Sequence, residues 1–223
     1  MQSIVLAGWI CYIRWPTTCP SKRRRCATFW ASRYTPSGGA GCIRGNVLCI
    51  GGGPLGLSIA QVARAKGAGR VFVSDPSPLA RRVVGQFEQF TCIDPTTQIL
   101  ADVLRDTVGE PSVAAIFDSV GSAEAMRQAL PLLAESGTYV NLAVHDASLD
   151  LRASVLGSER TLTTSSNAYY DDEKEAHELI SSGAVNVRSM ITHRFRLEDF
   201  QQAFDLLLAE PRKAYKVVFE FLD

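Results

Sequence analysis

The stretch Val47-Leu48-Cys49-Ile50-Gly51-Gly52-Gly53-Pro54-Leu55-Gly56 constrains the fold of this chain more than any other. An apolar run of strand length meets glycines spaced G-x-G-x-x-G at Gly51, Gly53 and Gly56, and an Ala-rich helical stretch follows. Nineteen residues after Gly56, a second apolar run, Val71-Phe72-Val73-Ser74, ends in Asp75. Strand, glycine turn, helix, strand and acid in this order predict a βαβ unit with parallel strands.

Each part of that unit has a physical task. Gly51 permits a tight turn out of the first strand. Gly53 lets the backbone approach a pyrophosphate without a Cβ in the way, and Gly56 lets the helix pack closely on the sheet. Pro54 suits the first helical turn, where its missing N–H is not needed. The remaining N–H groups of the turn, Leu55 included, and the positive end of the helix dipole then favour phosphate. The unit therefore predicts a dinucleotide site. Asp75 can accept hydrogen bonds from the adenosine ribose hydroxyls, and its charge would repel a 2′-phosphate, which favours NAD over NADP. Arg81 and Arg82 could soften that preference if they turn back toward the site.

From Asn46 onward strand and helix patterns alternate. Strands are expected at 46–50, 70–74, 91–93, 113–118, 137–144, 160–165 and 215–221, and helices at 54–66, 78–88, 97–107, 122–134, 172–182 and 197–208. Alternation of this kind predicts an α/β fold, a doubly wound parallel sheet covered on both faces. The near-continuous apolar run Val113-Ala114-Ala115-Ile116-Phe117 fits a strand buried on both sides. Gly67 after Lys66, and Gly137 after Ser136, read as helix ends.

A composition boundary falls near Gly45. Residues 1–45 carry Lys and Arg but no acid, since Asp75 is the first acidic residue of the chain. All three tryptophans and Cys11, Cys19, Cys26 and Cys42 lie there as well. The apolar stretch near the start is too short to span a membrane and lacks the basic flank of an export signal. The run Lys22-Arg23-Arg24-Arg25 reads as solvated surface, and the cysteine spacings match no close-paired metal pattern. The segment is either an atypical, unordered leader or the product of a mis-set start or splice, in place of a domain. A net charge of zero gives no reason to expect nucleic acid or a membrane as partner. Cys49 and Cys92 read as core residues, and the expected location is the cytoplasm.

Several further stretches carry a family resemblance: residues 49–56, then Phe117-Asp118-Ser119-Val120-Gly121, then Gly137-Thr138-Tyr139-Val140-Asn141-Leu142-Ala143-Val144, then Glu159-Arg160-Thr161-Leu162, Met190-Ile191-Thr192-His193-Arg194-Phe195, Leu197-Glu198-Asp199 and Ala203-Phe204. In this order they resemble the C-terminal part of the zinc-type medium-chain alcohol and polyol dehydrogenases, the butanediol and sorbitol branch above all. The resemblance implies a nucleotide-binding domain at 46–186 and, at 187–223, a segment returning to a catalytic domain. It implies that Val120 and Gly121 border the adenine, that the backbone at Leu142, Ala143 and Val144 approaches the nicotinamide, and that a sheet edge between Arg160 and Ser165 pairs across a homodimer. The activity implied is NAD-dependent oxidation of a secondary alcohol or polyol, or reduction of the ketone.

The family also implies catalytic zinc, and here the sequence departs from it. Residues 1–45 contain no His, Asp or Glu, and the only histidines of the chain are His145, His177 and His193. No zinc ligand and no catalytic residue is assigned. The catalytic domain is expected to be truncated, and His193 reads as structural. Without that domain the apolar strand at 215–221 would be an exposed edge, so either low solubility or burial against residues 1–45 is expected. Two alternatives stay open. One is a non-catalytic NAD-binding remnant. The other is a short-chain dehydrogenase using Tyr170 and Lys174, although the glycine spacing at 51–56 does not suit that class.

Overall fold

The structure is a computed structural model and describes residues 4–6, 45–144, 151–165, 170–209 and 212–220. Its first strand, β1 (Ile4–Leu6), belongs to a small sheet treated below. The next six are β2 (Val47–Ile50), β3 (Val71–Ser74), β4 (Phe90–Ile93), β5 (Val113–Asp118), β6 (Leu133–Asn141) and β7 (Thr161–Thr164). They form one parallel sheet in the order β4-β3-β2-β5-β6-β7. The helices between and after them are α1 (Pro54–Ala65), α2 (Pro78–Val84), α3 (Leu100–Val108), α4 (Ala123–Ala129) and α5 (Tyr170–Ser181). This is the doubly wound, Rossmann-like α/β fold that the alternation predicts.

All four residues of β2 and of β3 are buried, as expected for strands with both faces covered. The period of two sorts them into two layers. Val47, Cys49, Val71 and Val73 join Leu57, Ile59 and Val62 of α1 and Val83 and Val84 of α2. Leu48, Ile50, Phe72 and Ile116 join Leu100 and Leu104 of α3 and Met126 and Ala129 of α4. Each fully buried aliphatic side chain of this kind stabilises the fold by about 1.5–3 kcal/mol relative to exposure.

The helix expected at 122–134 ends at Ala129, and a 3-10 turn (Leu130–Leu132) leads directly into β6 at Leu133. Pro131 is the cause, because it has no N–H to donate and its ring clashes with the preceding turn. Gly137 is accordingly not a helix end. It lies inside β6, where the register with β5 jumps from Val113↔Leu133 to Ala115↔Thr138, and a Cβ there would sit 2.8 Å from Leu133 Cγ. Gly67 does follow the end of α1, with a φ of 93° and its N–H on the Arg64 carbonyl. α2 and α3 are shorter than expected: Gly85 closes α2, and Asp94 organises a turn ahead of α3 by accepting from Thr96 N and Oγ1.

The small sheet has the order β1-β9-β8, with β8 (His193–Arg196) parallel and β1 antiparallel to β9 (Val217–Glu220). The strand β8 is not among those expected. β1 sets Ile4, Val5 and Leu6 opposite Glu220, Phe219 and Val218, so β9 is paired on both sides and one partner comes from within residues 1–45. The rest of that stretch, 1–3 and 7–44, with Lys22 to Arg25 and the four early cysteines, lies outside the described residues. Helix α6 (Phe200–Leu208) places Ala203 against Ala214, Val217 and Phe219. Met190 and Tyr215, from the segments flanking β8 and β9, join the core beneath α1.

Candidate cofactor site

In the large sheet β2 and β5 are neighbours, yet the chain leaves β2 toward β3 and β4 and leaves β5 toward β6 and β7. That reversal opens a crevice at the carboxyl ends of β2 and β5. Gly51 follows β2 there, and Ser119 follows β5, tied back by its N and Oγ to the Ile50 carbonyl at 2.9 Å each.

The glycines of the turn differ in what they permit. Gly51 has a φ of 91°, and a Cβ on it would run into Ser119 Oγ and come within 3.0 Å of Val120 Cγ2. On Gly56 a Cβ would overlap the Gly51 carbonyl oxygen, so α1 rests directly on the turn. At Gly53 a Cβ would meet nothing within 4 Å. Gly53 is also the N-cap of α1; no side chain caps that helix, and Pro54 occupies its first position. The first-turn N–H groups lack intrahelical partners, and a Cβ added at the Gly53 N-cap would enter open space.

Asp75, half-buried at the end of β3, closes the turn from the side. Its Oδ2 accepts Gly52 N at 2.7 Å and its Oδ1 accepts Ser77 N at 2.7 Å. A carboxylate has about four lone-pair sites, so each oxygen keeps acceptor capacity. Arg81 does turn back toward Asp75, but as a brace: Nη1 donates to the Asp75 and Pro76 carbonyls at 2.9 and 2.6 Å, and Nη2 pairs with Asp94 at 2.7 Å. Hydrogen bonds from Thr96, with Arg81 adding to them, hold the Asp94 carboxyl below the usual range. Arg82 is exposed.

The other rim of the crevice is organised by Asp118, which sequence reasoning treated only as part of a motif. It is fully buried at the end of β5. Oδ1 accepts Val120 N and Gly121 N at 2.8 and 2.9 Å, and Oδ2 accepts the Tyr139 hydroxyl at 2.7 Å. Burial, and then the Asp118 charge, pushes the Tyr139 hydroxyl far above its ordinary range. Gly121 takes a φ of 69°, and Val120 stays 37% exposed. At the end of β6 the Leu142 side chain is buried and its N–H reaches the Asp118 carbonyl at 2.8 Å, Ala143 N donates to Asn141 Oδ1 at 3.1 Å, and Val144 is 87% exposed. Gly51, Gly53, Pro54, Leu55, Gly56, Val120 and Gly121 thus gather around the ends of β2 and β5, with Asp75 beside them on β3 and residues 142–144 following β6.

Sequence reasoning missed Tyr215. Its buried hydroxyl donates to the Gly52 carbonyl at 2.6 Å across 163 residues. Burial, with Asp75 and then Cys92 nearby, raises that hydroxyl well above the usual tyrosine range.

The sequence profile described as zinc-binding dehydrogenase matches residues 54–182. The chain belongs to the zinc-binding dehydrogenase family. L-galactonate-5-dehydrogenase of Escherichia coli (strain K12) is 28% identical over 176 residues, which are 78% of this chain and 52% of that relative. The chain spans about half the length of the curated relatives it matches. Among solved structures, 2R,3R-butanediol dehydrogenase from Bacillus subtilis shares the fold with a TM-score of 0.74 at 18% identity, over 87% of this chain and 55% of that one. An Escherichia coli CFT073 alcohol dehydrogenase in complex with NADH does so at 0.71 and 20% identity, over 79% and 52% of the two chains. A zinc-binding dehydrogenase of Sinorhizobium meliloti 1021 bound to NADP does so at 0.65 and 24% identity, over 79% and 52%.

Among the described residues no group of three or more His, Cys, Asp and Glu side chains could hold an ion, so these residues do not fit a zinc site. His193 stacks on Phe195 in the small sheet with Nδ1 3.0 Å from Thr192 Oγ1, and His177 is exposed beside Ser181. His145 lies outside the described residues. Tyr170 and Lys174 share helix α5, where Lys174 is exposed and the Tyr170 side chain is outside the described residues. Among the described residues no helix is long and apolar enough to cross a membrane.

Proposed function

We propose that this chain binds NAD at the 51–56 turn and forms the nucleotide-binding part of a dehydrogenase that oxidises a secondary alcohol or polyol, or reduces the corresponding ketone. One observation carries the reading: an uncapped helix start with open space at Gly53, flanked by an acid whose carboxylate retains free lone pairs. In this reading the pyrophosphate meets the N–H groups of Gly53, Leu55 and Gly56, and the adenosine ribose hydroxyls donate to Asp75. A 2′-phosphate would meet the Asp75 charge, while Arg81, bonded to the Asp75 carbonyl, is already engaged by Asp94. That supports NAD over NADP. Val120 and Gly121 line the adenine side, and the backbone at Leu142, Ala143 and Val144 borders the nicotinamide.

Bound NAD supplies a hydride acceptor. The groups that polarise the carbonyl and move the hydroxyl proton are not assigned to any described residue, and no zinc-ligand cluster is found among the described residues. A non-catalytic NAD-binding module is the second reading, favoured by that same lack of a ligand cluster among the described residues. We place the nucleotide domain at 46–186 and a returning segment at 187–223. We also infer a homodimer through β7, an edge strand whose residues alternate in burial and whose Leu162 is 37% exposed.

Fluorescence titration with NADH and NADPH, followed by assays on a polyol panel with and without added zinc, tests both readings. Saturable NADH binding with weaker NADPH binding is expected. Absence of NADH binding overturns the cofactor assignment, and binding without turnover on the whole panel selects the second reading.

A further inference from the structure

We propose that Tyr215 is a positioning residue for the cofactor turn, holding the Gly52–Gly53 peptide so that its N–H faces the pyrophosphate. The inference rests on the NAD reading above.

Three consecutive glycines make this turn unusually free to rotate its peptide planes. Two side chains remove that freedom at Gly52. The peptide on its N-terminal side is held by the N–H to Asp75 Oδ2 at 2.7 Å, and the peptide on its C-terminal side by the carbonyl to Tyr215 Oη at 2.6 Å. In a trans peptide the C=O and the following N–H point in opposite directions. Drawing the Gly52 carbonyl inward to Tyr215 therefore turns the Gly53 N–H outward, on the residue where a Cβ would meet nothing within 4 Å. A rotation of this plane would replace a donor by a carbonyl oxygen facing the phosphates.

Tyr215 is itself fixed from behind. Only 9% exposed, it belongs to the core that holds α1, and its own N–H donates to Thr192 Oγ1 at 3.0 Å, just ahead of β8. A carbonyl only accepts, so the phenol must stay protonated, and its environment disfavours the phenolate. The segment leading into β9 thus reaches the glycine turn through one hydroxyl.

The test compares NADH and ADP-ribose binding to the wild-type chain, Tyr215→Phe and Val217→Ala. The Phe variant keeps the ring and removes only the donor. The Ala variant loosens the same segment through its fully buried anchor without touching the hydrogen bond. Tyr215→Phe should raise both dissociation constants about tenfold, the scale of one well-aimed hydrogen bond to a charged group, while Val217→Ala changes them less than about twofold. Equal weakening in the two variants, or unchanged binding in Tyr215→Phe, overturns the proposal and leaves the NAD reading standing. Failure of the wild type to bind overturns both. Amide exchange on the wild-type chain gives a route independent of folding of the variants. NADH should slow exchange at 215–220 more than in α3, by reciprocity of the coupling; equal protection in the two regions contradicts the proposal.

Discussion

Two alanines three residues apart in the glycine turn should fail in opposite ways. In Gly56→Ala the new Cβ overlaps the Gly51 carbonyl oxygen and lies 2.9 Å from the Gly51 carbonyl carbon, and both obstacles are backbone. Neither can rotate aside, so α1 must lift off the turn. Overpacking of this kind costs about 1–3 kcal/mol, which for a chain of this size lowers Tm by roughly 2–12 °C. In Gly53→Ala the Cβ meets nothing within 4 Å, and the backbone there (φ −70°, ψ −179°) is open to any L-residue. Its cost as an N-cap is offset by the stiffer unfolded chain, so apo stability should hold within about 0.5 kcal/mol. The methyl does fill the space assigned to the pyrophosphate, and NADH affinity should fall about tenfold or more, some 1.4 kcal/mol. Thermal melts of the cofactor-free variants and NADH titrations at a temperature where both are folded separate the two effects. Gly53→Ala melting as low as Gly56→Ala, or binding NADH as the parent does, would refute the reasoning.

Replacing Asp75 by Ser should narrow the preference for NADH over NADPH by at least about fivefold, the least a unit charge near a phosphate is worth in water, and should weaken NADH itself; paired titrations check this, and an unchanged ratio contradicts it. Asp118→Ala strands the N–H groups of Val120 and Gly121 and the buried Tyr139 hydroxyl. The loss should be about 2–5 kcal/mol by urea unfolding, and an effect under about 1 kcal/mol would mean the network does not hold the rim. Burial pushes the Cys49 thiol from 9.0 up to about 12. Between those values the unfolded chain releases a proton that the folded chain keeps, so stability is flat below pH 9 for this group and falls above it, by at most about 1.4 kcal/mol per pH unit. Thiol reagents at mildly alkaline pH should accordingly label Cys49 only after unfolding, and fast labelling of the native chain would count against its burial.

What could be read from the sequence was local. The strands β2 and β3 announce themselves as short apolar runs because both of their faces are buried, and the turn between β2 and α1 because glycine alone tolerates the contact between Gly56 and Gly51. The end of α4 carries a local signal in Pro131, but the place of Gly137 inside β6 carries none, because the register jump near it depends on pairing with β5. The strand β8 reads His-Arg-Phe-Arg, and its pairing with β9, distant in sequence, makes it a strand. Asp118 carries a local hint, an acid two and three residues ahead of the N–H groups of a turn. Tyr215 carries none, since its partner at Gly52 is brought near by the tertiary fold alone.

A crystal structure determined with NADH decides whether the dinucleotide lies on the glycine turn. A pyrophosphate oxygen is expected about 2.7–3.2 Å from Gly53 N, with the adenosine ribose on the Asp75 carboxylate and the Gly52 carbonyl still on Tyr215. A dinucleotide seated elsewhere, or a pyrophosphate that makes no contact with the first turn of α1, would contradict it.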